Sequence, residues 1–116
     1  MEKEFIPYEQ ALALKELEFD EPCFGYYKYD ELIIEGRYKN SDHGFSISTP
    51  TFSQAFKWFR EKYGLNSHIH QEDRNNYSYS CGKGYSDEIG GYQDFKTYEE
   101  AELECLKELI EIVKRK

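Results

Sequence analysis

The apolar period of this chain switches repeatedly between that of a helix and that of a strand, and this alternation restricts the fold more than any other feature. After Pro7, whose fixed φ suits a first turn, Tyr8, Ala11, Leu14 and Leu17 recur at three-residue spacing, which predicts a helix ending by Asp20. Asp20-Glu21-Pro22 is turn chemistry. Phe24 to Tyr29 and Leu32 to Glu35, rich in aromatic and β-branched residues, then form an expected hairpin around Tyr29-Asp30-Glu31. Phe52, Ala55, Phe56, Phe59 and Tyr63 return to helical spacing, with Thr49 as the expected N-cap, Pro50 in the first turn and Gly64 as the stop. His68 to Glu72 and Tyr77 to Cys81 alternate about the polar turn Asp73 to Asn76, a second hairpin. The Thr97-x-x-Glu100 capping box opens a last helix through Ala101, Leu103, Leu106, Leu109, Ile110 and Val113. Its acidic start at Glu99, Glu100 and Glu102 and basic end at Lys114, Arg115 and Lys116 suit the helix dipole.

The expected order is therefore α-ββ-α-ββ-α, of the α+β class. With 116 residues, one domain spanning 1–116 is expected, its antiparallel sheet of four or five strands covered on one face by the helices. Residues 36–48 read as a long exposed loop with a short strand at Phe45 to Ser48. Residues 82–94, with Gly82, Gly84, Gly90 and Gly91, read as a flexible loop from which Tyr92 to Phe95 returns as an edge strand.

No apolar run approaches the roughly 20 residues that span a bilayer, and the acidic N-terminus lacks the basic head of a signal peptide. A soluble, cytoplasmic protein with no membrane partner is the expectation. Cys23, Cys81 and Cys105 are odd in number and lack paired spacing, so they read as reduced thiols rather than a disulfide framework or zinc site. The net charge of -8 opposes a phosphate backbone and excludes duplex nucleic acid as an expected partner. That charge is unevenly spread, however. Residues 1–35 carry 3 basic and 10 acidic side chains, residues 36–84 carry 7 and 4, and residues 85–116 carry 5 and 9. A small anion would find its partners in the middle segment, among Arg37, Lys39, Lys57, Arg60, Lys62, Arg74 and Lys83.

Three stretches, IPYEQALALKELEFDEPCFGYY, TPTFSQAFKWFREKYGL and TYEEAELECLKELIEIVK, cover about half of the chain. Together they resemble a group of short proteins of uncharacterised function encoded by bacteriophages and prophages. The resemblance carries no catalytic motif. It implies a phage accessory protein acting in the host cytoplasm, of the kind that counters host defence by gripping a host protein or by sequestering a nucleotide-derived signal.

Several constellations bear on chemistry. His68, His70 and Glu72 leave one face of a predicted strand, a spacing that suits zinc or manganese, although a solvated strand face is the commoner meaning. Neither histidine has Ser or Thr two residues later, so the two-histidine phosphodiesterase pattern is absent. A Cys81 nucleophile with His68 or His70 as base fits a hairpin, but nothing nearby argues for a lowered thiol pKa. Ser80-Cys81-Gly82-Lys83-Gly84 lacks Walker spacing and reads as a turn between strands. Trp58 flanks the apolar stripe of its helix and is expected to widen the core, while the acidic face from Glu99 to Glu111 reads as solvation.

Tyr77 and Tyr79 share a face with Cys81, and Tyr27 and Tyr29 share one in the first hairpin. Tyrosines beside cations give flat platforms next to positive charge, the chemistry of base stacking with phosphate pairing. The leading expectation is thus a non-enzymatic protein that binds a small nucleotide-like anion through Arg60, His68, His70, Arg74, Tyr77, Tyr79 and Lys83, with no cofactor and no metal. This reading requires those groups to meet on one surface. Two alternatives are an inhibitor of a host protein that uses acidic helices or a sheet edge, and a small metal-dependent hydrolase built on His68 and His70. Exposed edge strands also suggest a homodimer.

Overall fold

A computed structural model of the chain describes residues 4–29, 31–42, 46–83 and 87–115. The elements in order are α1 (Tyr8–Glu16), β1 (Cys23–Lys28), β2 (Glu31–Tyr38), a 3-10 turn (Asn40–Asp42), β3 (Ile47–Thr49), α2 (Phe52–Tyr63), β4 (Asn66–Asp73), β5 (Asn76–Lys83), β6 (Asp87–Phe95) and α3 (Tyr98–Lys114). The α+β class and the order of helices and hairpins are as the apolar periods predict. The strands form two separate antiparallel sheets instead of one, ordered β2-β1-β3 and β4-β5-β6. The chain divides into two compact units, Met1–Gln54 and Ala55–Lys116, each holding one of these sheets.

In the first unit β1 is the central strand. It pairs with β2 through Tyr27↔Leu32, Tyr26↔Ile33 and Gly25↔Ile34, and with β3 through Gly25↔Thr49 and Tyr27↔Ile47. Strand alternation buries Cys23, Gly25 and Tyr27 on one side and leaves Phe24 and Lys28 exposed on the other. Tyr27 and Tyr29 do not share a face as expected. The Tyr27 hydroxyl is buried and donates to the Ile6 carbonyl at 2.9 Å, whereas Tyr29 sits in the hairpin turn at φ 60 and is 79% exposed. Thr49 Oγ1 donates to the same carbonyl at 2.9 Å, and Ile6 N–H donates to Pro50 O at 3.0 Å. The segment before α1 is thereby fixed beside β3.

Much of the expected loop at 36–48 is ordered. β2 continues to Tyr38, and Asn40 then sits buried in the 3-10 turn, with Nδ2 donating to Phe19 O at 2.7 Å and Oδ1 accepting from Ser48 N–H at 2.9 Å. One side-chain amide therefore stands in for a backbone pairing partner on both sides. The expected strand Phe45 to Ser48 is shifted to Ile47–Thr49; residues 43–45 lie outside the described residues.

α1 ends in a left-handed turn: Phe19 N–H reaches Leu14 O at 2.9 Å and Glu18 N–H reaches Lys15 O at 3.0 Å, with Glu18 at φ 68. A side chain in this conformation is strained by its own Cβ, and glycine escapes that strain at the cost of a more flexible unfolded chain. Glu18 is exposed, so Glu18→Gly should raise stability by about 0.5–1 kcal/mol in urea unfolding, the steric relief outweighing the entropy.

α2 begins later than its sequence suggests. Thr51, not Thr49, is the cap, accepting from Gln54 N–H at 3.3 Å, because Thr49 is already committed to β3. Gly64 ends the helix as expected, at φ 68, with its N–H on Arg60 O at 3.1 Å.

The second unit is a meander. β4 and β5 pair from Asn66↔Gly82 to Asp73↔Asn76, and β5 and β6 pair from Tyr77↔Phe95 to Lys83↔Asp87. Asp73 closes the first turn through Oδ1 to Asn75 N–H at 3.1 Å and Oδ2 to Asn76 Nδ2 at 3.0 Å. Most of the expected loop at 82–94 is strand: Gly82 and Lys83 finish β5, and the edge strand foreseen at Tyr92 to Phe95 begins at Asp87. Residues 84–86 lie outside the described residues. α3 packs on this sheet, its Thr97 Oγ1 accepting from Glu100 N–H at 3.1 Å as the capping box predicts. Its Ala101, Cys105, Leu106 and Leu109 are fully buried, each leucine contributing about 1.5–3 kcal/mol of gross burial energy. Trp58, at 7% exposure, belongs to the buried set, its ring edge-on to Phe59 and Tyr63. Among the described residues no helix is long and apolar enough to cross a membrane.

Candidate functional site

The register of β4 with β5 decides which side chains meet. His68 lies opposite Ser80 and His70 opposite Ser78, so these four share one face of the sheet. The imidazoles are exposed and parallel, with ring centroids 6.2 Å apart and planes inclined by 27°. His70 Nε2 and Ser80 Oγ share a hydrogen bond of 3.0 Å whose direction is set by the ring tautomer, and Ser78 Oγ donates to Glu72 Oε1 at 3.1 Å.

Ile69 lies opposite Tyr79 and Gln71 opposite Tyr77, on the other face, which α3 covers. Tyr77 meets Tyr98 edge-on at 6.1 Å, and Tyr79 stacks on Phe95 at 6.1 Å. Burial first, and then the carboxylate charges of Glu108 and Glu104, push the Tyr79 hydroxyl up to about 12. A phenol held among carboxylates is a poor seat for an anion. Arg74 occupies the β4–β5 turn, Lys83 the far end of β5, and Arg60 is exposed on α2.

The seven residues expected to bind an anion therefore do not converge. His68 and His70 stand on the open face, Tyr77 and Tyr79 on the covered one, and Arg74 and Lys83 at opposite ends of a strand. The alternation within each strand is legible in sequence, but which face the last helix covers is a tertiary choice.

The thiol chemistry is corrected in the same way. Cys81 is fully buried opposite Ser67, on the face away from His68 and His70, so the nucleophile pair is not formed. Cys105, hydrogen-bonded to Cys81 and buried, has its pKa driven far upward, and burial followed by the charge of Glu21 pushes Cys23 up to about 12. Neither is a thiolate at neutral pH. Among the described residues, no group of three or more His, Cys, Asp or Glu side chains is placed to hold a metal ion, so the hydrolase reading lacks an assembled centre.

The surface that sequence reasoning did not assemble is in the first unit. Phe24 is 58% exposed, with the Arg37 guanidinium 5.6 Å from its ring centre. Tyr26 and Ile33 are direct cross-strand partners on the outward side, and the Tyr26 hydroxyl donates to Glu35 at 3.3 Å. Beside them β2 is an edge: it pairs with β1, and among the described residues no strand lies along its other side. The run Leu32-Ile33-Ile34 in an aromatic hairpin was the available signal, but sequence does not say which strand ends a sheet. No family model, curated protein or solved structure matches this chain.

Proposed function

We propose that this is a non-enzymatic binding protein that takes an extended, basic segment of another protein along the free edge of β2 and so masks it. The observation that supports this is an eight-residue edge strand in which Leu32, Ile33 and Ile34 pair regularly with β1 and the register irregularity falls only beyond Ile34. Edge strands that avoid pairing usually carry lysine, proline or an inward charge, and β2 has no lysine or proline. Every second residue of such a strand turns its N–H and C=O outward, a template for one more strand about 4.8 Å away.

Charge selects the occupant. Residues 1–54 hold 5 basic and 11 acidic side chains, and β2 itself carries Glu31 and Glu35, while its Arg37 is engaged with Phe24. A segment with basic and apolar residues at alternate positions would set its basic side chains beside Glu31 and Glu35 on the outward face and its apolar ones on the other face, level with Leu32 and Ile34. Because the residues expected to bind a small anion lie on different faces and elements, the edge of β2 is the better-supported surface. On the resemblance to short phage proteins, the partner is a host protein and the effect inhibitory.

Selection from a random peptide library on the immobilised protein tests this reading. The enriched peptides should be basic with β-branched residues at alternate positions, and should lose about tenfold or more in affinity against a Glu31→Lys/Glu35→Lys variant and in raised salt. Enrichment of acidic peptides, or binding indifferent to that double substitution, would overturn it.

A further inference from the structure

The free edge of β4 carries a second interaction, independent of β2. We infer that two copies of this chain associate by pairing their β4 strands antiparallel about a twofold axis at Ile69, which joins their three-stranded sheets edge to edge. β4 ends its sheet: it pairs with β5, and among the described residues no strand lies along its other side. Asn66 to Gln71 pair with β5 residue for residue, and the register irregularity falls between Gln71 and Asp73, so the stretch open to a partner is regular. It holds no lysine, arginine or proline, the residues that commonly keep an edge from pairing. His68, His70 and Gln71 on it are exposed.

The sequence of the strand selects the occupant. A twofold axis sets one residue opposite its own copy, and every other residue opposite the one equally far on the other side of it. Ser67-His68-Ile69-His70-Gln71 reads nearly the same in both directions, so an axis at Ile69 sets isoleucine against isoleucine, imidazole against imidazole and Ser67 against Gln71. Such cross-strand partners have Cβ atoms about 4.5–5.5 Å apart, close enough for matched side chains to stabilise the pairing. Both faces of the strand agree with this register. Ile69 faces α3 yet is only half-buried, and its copy would cover the flank that the free edge leaves open. On the other face the exposed imidazoles, stacked at 6.2 Å within one chain, would meet the same pair from the second copy. The acidic end of the strand, Glu72 and Asp73, would lie beside the uncharged start of the other strand instead of beside its own copy. So short a pairing buries little area, and the association is therefore weak and concentration-dependent.

Sedimentation of the full chain between about 1 μM and about 1 mM, at neutral pH with a chelator present, provides the test. A monomer in equilibrium with a dimer is expected, with a dissociation constant on the order of 10 μM to 1 mM. His68→Lys/His70→Lys sets lysine against lysine and should weaken the dimer at least about tenfold, whereas His68→Glu/His70→Lys sets each glutamate against a lysine of the other copy and should tighten it a few-fold. Both positions are exposed, and circular dichroism would confirm that each variant keeps its fold. Glu31→Lys/Glu35→Lys alters only the edge of β2 and should leave the equilibrium unchanged, so this inference and the reading of β2 fail separately. A chain that stays monomeric to about 1 mM would overturn the inference. So would a dimer indifferent to His68→Lys/His70→Lys, one weakened equally by the two histidine variants, or one lost in the β2 variant.

Discussion

Asn40→Asp is expected to cost about 2–4 kcal/mol at neutral pH, a large part of the stability of a chain this size. The asparagine is 8% exposed and uses both ends of its amide, as donor to the Phe19 carbonyl at 2.7 Å and as acceptor from Ser48 N–H at 2.9 Å. These partners fix which end is oxygen, since a carbonyl can only accept and an N–H only donate. Aspartate preserves shape and the Ser48 bond but sets a carboxylate oxygen against a carbonyl oxygen in a buried site. Both effects raise the new carboxyl's folded pKa above its unfolded value of about 3.9. The penalty is then full above the folded pKa and shrinks as pH falls toward the unfolded one, because the protonated acid can donate to Phe19 O again. Urea unfolding of both proteins at neutral pH and at about pH 4 should show the difference narrowing in acid. A pH-independent difference would show that the carboxylate is not held against that carbonyl.

The second large effect sets two familiar rules against each other. Gly25 lies in the middle of β1, where strand propensity alone would make valine better by up to about 1 kcal/mol. A Cβ there would stand 2.8 Å from Phe5 Cε1, 3.0 Å from Phe5 Cδ1 and 3.3 Å from Thr49 Cγ2. Phe5 is itself 6% exposed and bridged to Thr51, so its ring has little room to retreat. Sterics should win, and Gly25→Val is expected to destabilise by about 1–3 kcal/mol in thermal or urea unfolding. In a Phe5→Ala background the same change should be close to neutral or favourable, since the obstructing ring is gone. If the cost persisted there, backbone strain rather than ring contact would be its cause.

These two residues show what sequence reading lacked. Asn40 looked like one turn former among several, and nothing local says that its amide joins Phe19 to Ser48 across 21 and 8 positions of chain. Gly25 looked like a weak spot in a strand, and only the arrival of Phe5 makes it necessary. The Thr97 cap and the Gly64 stop were legible because each acts within one helical turn of itself. The cap on α2 was displaced from Thr49 to Thr51 because strand pairing with β1, a contact with residues more than twenty positions earlier, claimed Thr49 first.

The candidate sites divide along the same line. That His68 and His70 share a face, and Tyr77 and Tyr79 another set of positions, follows from a period of two and was available at once. That α3 would lie over the tyrosines, leaving the histidines open, was not, because both faces of β5 carry residues able to pack or to face water. The edge status of β2 likewise depends on the strands dividing into two sheets of three.

By itself the amino-acid sequence determined the class, the order of helices and hairpins, and the side-chain phase along each strand, since periodicity, capping and turn chemistry operate over a few residues. Only the tertiary structure decided which faces are covered, which strands end their sheets and which polar groups bridge distant segments. Those outcomes rest on competition among long-range contacts of similar energy, and a difference of a few kcal/mol between them is written in no single stretch of chain.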